Sequence, residues 1–155
     1  MKKMILIDSN CLLVLLLGMI DPNLIDTHSK TSIYEKKDFY DLMSFIGDIK
    51  SLVVLPNIFT EVDNLLNKNF KGNQKYLYIK SIIELMLNSK EEYLKSVLIR
   101  DKTSFYDLGL TDSLILELAK QNNLLITDDS QLSDYARANS IEVYDMKYLR
   151  NQRFF

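Results

Sequence analysis

The stretch TDSLILELAKQNNLLITDDSQLSDYARANSIEVY, residues 111–144, decides the fold class of this chain. Apolar residues recur at helical spacing over 111–119 and 132–138, whereas 124–127 and 141–144 are short β-type runs. The pattern predicts helix, strand, helix and strand, in which the last three elements form a β-α-β unit. Because such units join parallel strands, a parallel sheet is the expected core.

The rest of the chain shows the same alternation. The predicted elements are a strand at 4–7, a helix at 12–17, a loop at 23–37, a helix from Asp38 to about residue 49, a strand at 52–55, and helices at 58–66 and 79–86 separated by a turn at 67–75. Gly18 and Asp21-Pro22 predict the end of the first helix, and residues 89–108 stay open between helix and extended chain. We expect one α/β domain over residues 1–155, a three-layer α/β/α sandwich with a mostly parallel central sheet.

Composition excludes several classes of site. The chain of 155 residues has one cysteine, Cys11, and one histidine, His28, so a disulfide framework and a Cys/His zinc site are excluded. Any metal must therefore be held by oxygen. The apolar run at 11–20 is shorter than the roughly 20 residues that span a bilayer, so it predicts core and a cytoplasmic protein without a membrane segment. The net charge of −2 argues weakly against nonspecific coating of nucleic acid.

Carboxylates follow the predicted strands. Asp8 comes directly after the strand at 4–7, and Asp128 and Asp129 come directly after the strand at 124–127. Open parallel sheets bind ligands outside the carboxyl ends of their strands, so these acids are expected at one edge. The candidates from neighbouring helices are Glu61, about one turn into its helix, and Asp112, which opens its helix.

The helix at 58–66 leaves a choice between two acids. Glu61 and Asp63 both lie at the boundary of its apolar stripe, on opposite sides, and helical periodicity does not choose between them.

Several carboxylates that converge on one point repel one another unless cations neutralise them. Carboxylate and water ligands suit Mg²⁺ or Mn²⁺, which also bind substrate phosphates. Ions held in this way promote in-line displacement at phosphorus. The pattern therefore predicts phosphodiester hydrolysis.

Four motifs resemble the PIN-domain family in order and spacing, over nearly the whole chain. They are Ile7-Asp8-Ser9-Asn10, Pro56-Asn57-Ile58-Phe59-Thr60-Glu61, Leu110-Thr111-Asp112-Ser113-Leu114-Ile115 and Ile126-Thr127-Asp128-Asp129-Ser130-Gln131-Leu132. The resemblance implies a PIN-like fold and a metal-dependent endoribonuclease whose acidic positions are Asp8, Glu61, Asp112 and Asp129. Asp128 is a neighbour that assists or substitutes for Asp129, and the polar positions that support the acids are Ser9, Asn10 and Thr127.

The resemblance also bears on partners. Many small prokaryotic members of the family resemble toxins of VapC-type toxin-antitoxin pairs, which implies an RNA substrate, an antitoxin partner and a homodimer. The interval between Asp8 and Glu61 is longer than in such toxins, and residues 21–37 are the expected addition.

The sequence has two other interpretations. A noncatalytic RNA-binding or scaffold module is the main alternative, and the intact set of acids argues against it. A dehalogenase-like or phosphotransfer domain also places an aspartate after its first strand, but the dehalogenase pattern needs a second aspartate where Asn10 stands.

Basic and aromatic residues outside the motifs stay open between two roles. Each of two basic groups is equally expected to contact RNA or to be ordinary surface charge. The first group is Lys68, Lys71 and Lys75, and the second is Arg150 and Arg153 beside Phe154 and Phe155. His28 is expected to be a surface residue of the polar loop.

Overall fold

A computed structural model describes residues 4–31, 33–122 and 124–153, without the side chain of residue 122. The strands are β1 (Ile5–Ile7), β2 (Leu52–Val54), β3 (Lys90–Glu91), β4 (Leu124–Thr127) and β5 (Glu142–Asp145). The helices are α1 (Ser9–Ile20), α2 (Leu24–Thr27), α3 (Lys36–Ile46), α4 (Pro56–Leu66), α5 (Gly72–Asn88), α6 (Thr103–Leu108), α7 (Leu110–Asn122), α8 (Ser130–Ala138) and α9 (Met146–Gln152). Two short 3₁₀ turns, Ile49–Ser51 and Ser96–Ile99, complete the described elements.

The five strands form one parallel sheet in the order β3-β2-β1-β4-β5. In the centre, Leu6 pairs with Val53 of β2 on one side and with Leu125 of β4 on the other. The strand order reverses between β1 and β4, because the chain leaves β1 first towards β2 and later returns to the opposite side. Such a reversal opens a crevice at the carboxyl ends of the two strands.

Helices cover both faces of the sheet, so the predicted α/β/α sandwich is confirmed. On one side α1 packs against α2, α3, α4 and α5, and on the other α7 packs against α6 and α8. Every residue of α1 from Cys11 to Gly18 is buried, as expected for a helix that is apolar on all sides. The apolar run at 11–20 is therefore core. None of the described helices combines the length and apolar character that a bilayer crossing requires.

Gly18 does not end the first helix, contrary to the sequence prediction, since α1 continues to Ile20. The glycine is a packing residue. A Cβ placed on it would lie 2.1 Å from Cδ1 of Phe39, whose ring from α3 rests on the α1 backbone. The absence of a side chain therefore sets the distance between α1 and α3.

Gly18→Ala is expected to destabilise the protein by about 1–3 kcal/mol, because the Phe39 ring must leave its position. The cost of the steric overlap between the new methyl group and the Phe39 ring is larger than the roughly 1 kcal/mol by which alanine is favoured over glycine in a helix. Thermal unfolding of the variant measures the effect. Gly18→Ala/Phe39→Leu, which makes room for the methyl group, should recover part of the loss. An unchanged melting temperature in Gly18→Ala would contradict the proposed packing.

Several predicted boundaries were wrong. Part of the predicted loop at 23–37 is helical, because α2 occupies Leu24–Thr27 and α3 begins at Lys36 rather than Asp38. The backbone N–H of Glu35 donates to Asp38 Oδ2 at 2.7 Å, which stabilises the earlier start. The predicted turn at 67–75 ends early, since α5 begins at Gly72.

Residues 89–108, which the sequence left open, contain β3, a 3₁₀ turn and α6. Both residues of β3 are exposed at the edge of the sheet, and they lack the apolar pattern by which a strand is recognised. The last strand is also shifted by one residue from the prediction, to Glu142–Asp145.

Candidate functional site

A cleft of about 180 Å³ opens at the carboxyl ends of β1 and β4, where the strand order reverses. It is lined by Asp8, Ser9, Asn10, Glu61, Asp112, Asp128 and Asp129. The structure thus brings together the five acids of the predicted site, along with Ser9 and Asn10, whereas Asp63 is not among the lining residues. Thr127, the remaining predicted supporting residue, is fully buried in the last position of β4.

Asp8 follows β1 and is only 5% exposed. Its Oδ1 accepts a hydrogen bond from the backbone N–H of Cys11 at 3.1 Å, so it caps the N-terminus of α1. Its own backbone N–H donates to the Ile126 carbonyl at 3.1 Å and extends the pairing of β1 with β4. The side chain is therefore fixed by both the helix and the sheet.

Thr127 connects the end of β4 to Asp8. Its hydroxyl donates to Asp8 Oδ2 and accepts from the backbone N–H of Asp129 at 3.0 Å. The backbone N–H of Asp128 also points to Asp8 Oδ2, at 3.3 Å. The two strand ends are thus cross-linked by hydrogen bonds directly beneath the cleft.

Asp128 is the second buried acid of the cleft, at 7% exposure, and with Asp8 it forms what we call the deep pair. The Tyr34 hydroxyl donates to Asp128 Oδ2 at 2.8 Å, and the Asn10 amide donates to Asp128 Oδ1 at 3.2 Å. Burial and the nearby carboxylates raise the pKa of Tyr34 far above its usual range, so its hydroxyl remains a donor.

Glu61, Asp112 and Asp129 are half-buried, and we call them the outer acids. Asp112 lies in the first turn of α7. Asp129 caps α8, because its Oδ1 accepts from the backbone N–H of Leu132 at 2.8 Å. Glu61 projects from α4, and its Oε2 accepts a hydrogen bond from the Ser9 hydroxyl.

The choice between Glu61 and Asp63 is resolved by the packing of α4. Asp63 faces away from the cleft towards α5, where the Tyr78 hydroxyl donates to its Oδ1 at 2.5 Å and the Asn67 amide donates at 3.0 Å. These hydrogen bonds, from Tyr78 first and then Asn67, lower the pKa of Asp63. Asp63 is a structural acid, and Glu61 belongs to the cleft.

Two of the acids hold their protons unusually tightly. The pKa of Asp8 is raised to about 7, chiefly by burial and then by the charge of Asp128, against hydrogen bonds from Thr127 and Cys11 that lower it. The pKa of Asp112 is raised to about 6 by burial and then by the charges of Asp129, Glu61 and Asp128. The cleft therefore concentrates negative charge that the protein itself does not neutralise.

Cys11 lies beside the deep pair, and its Sγ can approach the carboxylate oxygens of Asp8 and Asp128 within 4.8 Å. Burial, followed by the charges of these two acids, raises the pKa of the thiol well above its usual value. The sulfur is thus a protonated core group, and the donors that face the cleft are oxygens. Such a donor set fits Mg²⁺ or Mn²⁺ rather than a thiolate-preferring metal.

Sequence reasoning missed Tyr34 altogether. The residue comes from the segment at 21–37, which was expected to be an addition relative to the small toxins, and it reaches Asp128 across 94 positions of sequence. No local pattern marks it. The position of Cys11 could have been found, since it lies three residues after Asp8 on the same helix.

The remaining candidates lie away from the cleft. His28 ends α2, where its Nδ1 accepts from the backbone N–H of Lys30 at 3.2 Å. Lys75 donates to the Asn67 carbonyl at 2.7 Å, and Lys68 and Lys71 are exposed. None of these lysines is among the described residues that line the cleft.

The two arginines near the C-terminus make contacts within the protein. Arg150 Nε donates to the Ile33 carbonyl at 2.6 Å, and Arg153 Nη2 lies 2.7 Å from Asp38 Oδ1. The residues proposed beside them, Phe154 and Phe155, lie outside the described part of the chain.

Comparisons with known proteins add little to this geometry. No family model matches the chain, and no curated protein matches it. A domain of a functionally unknown protein from Methanocaldococcus jannaschii is similar at 17% sequence identity and a TM-score of 0.45, over 92% of this chain and 90% of that chain. A likeness this remote carries no argument about the site, so the function is argued from the cleft and its motifs.

Proposed function

We propose that this chain is a PIN-like, Mg²⁺- or Mn²⁺-dependent endoribonuclease that hydrolyses RNA phosphodiester bonds in the cleft. The observation that carries the proposal is the convergence of Asp8, Asp128 and the outer acids on one cleft at the reversal of strand order. A structural role does not require that many acids in one place, and their mutual repulsion makes the arrangement costly without a cation.

The deep pair and the outer acids would hold the cation. When bound, Mg²⁺ or Mn²⁺ supplies positive charge for the phosphate and lowers the pKa of water at the site. The chain's own residues position this set. Thr127 donates its hydroxyl to Asp8, and Ser9 donates its hydroxyl to Glu61, so each of these two carboxylates is oriented by a neighbouring side chain.

A groove beside the cleft offers a path for the RNA strand. It is an open groove of about 360 Å³ that shares Glu61 with the cleft and is otherwise lined by Pro56, Asn57, Thr60 and Thr111 at the N-termini of α4 and α7. These groups are uncharged, so a phosphate there meets no carboxylate except Glu61. We propose that the nucleotides next to the scissile bond lie in this groove.

Incubation of the full chain with end-labelled single-stranded RNA and with DNA of the same sequence tests the proposal. Internal cleavage of RNA that requires Mn²⁺ or Mg²⁺ and stops with EDTA is expected. If RNA remains intact at saturating Mn²⁺ while calorimetry shows that Mn²⁺ binds, the noncatalytic RNA-binding or scaffold function replaces the nuclease. If Mn²⁺ does not bind, the metal site itself is wrong.

The cellular role follows from the resemblance to the PIN family alone. We propose that the protein acts in the cytoplasm as a homodimer and as the toxin of a toxin-antitoxin pair. Induced expression of the wild type should then arrest growth, and the same induction of Asp8→Asn should not.

A further inference from the structure

We infer that Tyr34 is a positioning residue that holds Asp128 in the deep pair for cation binding. The inference rests on the proposed function, and it adds to that function a residue that none of the four acidic motifs contains. It also gives a role to the segment at 21–37, which the resemblance to small PIN-domain toxins leaves unexplained.

The contact between Tyr34 and Asp128 is buried and well defined. The ring of Tyr34 is 3% exposed, and its hydroxyl lies 2.8 Å from Asp128 Oδ2. On the other oxygen of the same carboxylate, Asn10 donates to Oδ1 at 3.2 Å. Each oxygen of Asp128 thus accepts one hydrogen bond, and because a carboxylate oxygen has two lone pairs, each retains one for a cation.

The segment that carries Tyr34 is held from several sides. Before it, the Thr31 hydroxyl donates to the Ile25 carbonyl at 2.9 Å, and the backbone N–H of Tyr34 donates to the Thr31 carbonyl at 2.8 Å. The C-terminal residues hold it from outside, through Arg150 on the Ile33 carbonyl at 2.6 Å and Arg153 on Asp38 at 2.7 Å. Tyr34 therefore reaches the site from a fixed backbone.

Asp128 needs such a restraint because of its neighbour. The charge of Asp128 acts directly on Asp8, and the two side chains share a buried space. Without a donor, repulsion would favour rotation of Asp128 towards water and away from Asp8. The Tyr34 hydroxyl opposes that rotation, so both carboxylates of the deep pair face one cation.

Tyr34→Phe tests the inference, with Tyr78→Phe as the matched control. In both variants a buried tyrosine loses the hydroxyl that donates a hydrogen bond to a carboxylate. The hydroxyl of Tyr78, however, donates to Asp63, which lies outside the cleft. Binding of Mn²⁺ is measured by calorimetry on the full chain, and circular dichroism checks that each variant is folded. Loss of a partner that orients a metal ligand typically weakens metal binding about 10- to 100-fold. We therefore expect the affinity of Tyr34→Phe for Mn²⁺ to fall by a factor in that range. Tyr78→Phe should stay within about twofold of the wild type.

A double variant shows whether Tyr34 acts through Asp128. Asp128→Ala should weaken Mn²⁺ binding, and Tyr34→Phe/Asp128→Ala should bind no more weakly than Asp128→Ala, because position 128 then has no oxygen for the hydroxyl to hold. If the losses of Mn²⁺ affinity in the two single variants add up in the double variant, this assignment is overturned.

The outcomes separate this inference from the proposed function. Equal Mn²⁺ affinity in the wild type and Tyr34→Phe overturns the role of Tyr34 and leaves the nuclease proposal standing. Equal losses in Tyr34→Phe and Tyr78→Phe also overturn it, since they indicate a general loss of stability. Absence of Mn²⁺ binding in the wild type overturns both.

Discussion

Asp112→Asn is expected to lower the rate of metal-dependent RNA cleavage on the order of a thousandfold, while it makes the metal-free protein more stable above about pH 6. Asparagine keeps the size of the side chain but removes a negative charge that, in the proposed function, holds the cation against the phosphate. The same charge is unfavourable in the metal-free fold, because burial and the charges of Asp129, Glu61 and Asp128 raise the pKa of Asp112 to about 6.

The gain in stability can be estimated from that pKa. A raised pKa of about 6 against the usual 3.8 corresponds to about 1–2 kcal/mol after allowance for the partial exposure of the side chain. In a chain of this size the melting temperature should rise by about 3–6 °C. Thermal unfolding in EDTA at a pH of about 8 measures it.

Asp101→Asn is the control for Asp112→Asn. It makes the same change in net charge at a side chain that is 85% exposed, so neither activity nor stability should change appreciably. Cleavage by Asp112→Asn at the wild-type rate would refute the role of the outer acids. A fall in metal-free stability would show that the carboxylate of Asp112 is favourable in the fold.

The second large effect is a loss of stability of the metal-free protein as the pH rises from about 4 to about 7. The folded-state pKa values of Asp8 and Asp112, about 7 and about 6, lie above the ordinary 3.8. The folded protein therefore binds protons more tightly than the unfolded chain does. This stabilisation is complete below about pH 4 and is lost as the pH rises through the folded pKa values. For Asp8, which is buried, the contribution amounts to a few kcal/mol.

Melting temperatures in EDTA across this pH range test the effect, with Asp8→Asn/Asp112→Asn as the reference. Burial and then the charge of Lys30 lower the pKa of His28, and the reference retains this residue. The difference between the two proteins therefore isolates the two acids. The reference should lose less stability as the pH rises, and parallel curves would mean that neither acid holds its proton.

Mn²⁺ should reverse this pH effect in the wild type alone. At about 100 times its dissociation constant, a ligand that binds only the folded state adds about 2.7 kcal/mol. Because binding requires ionised acids, the gain should increase with pH. If Mn²⁺ stabilised Asp8→Asn/Asp112→Asn as much as the wild type, the cation would have to bind at another site.

The sequence predicted the position of an acid well where that acid is tied to the end of a strand. Asp8, Asp128 and Asp129 follow β1 and β4 directly, and parallel strands bring their carboxyl ends to one edge. Prediction was weaker where a residue depends on how a helix is rotated. Glu61 and Asp63 have equivalent positions on the stripe of α4, and only the contact of Tyr78 with Asp63 distinguishes them.

The boundaries that were predicted wrongly have a similar cause. Gly18 has the local features of a helix end, but the ring of Phe39 explains why a glycine stands within α1. The exposed edge strand β3 pairs with β2 through its backbone, which carries no side-chain pattern.

By itself the sequence determined the alternation of helices and strands, the parallel sheet and the position of most acids, because apolar periodicity and chain order fix these locally. The tertiary structure alone decided that Tyr34 reaches Asp128 and that Asp63 turns to α5. Contacts between distant segments depend on how whole elements pack against one another, and that packing is set by the summed burial of many side chains rather than by any short motif.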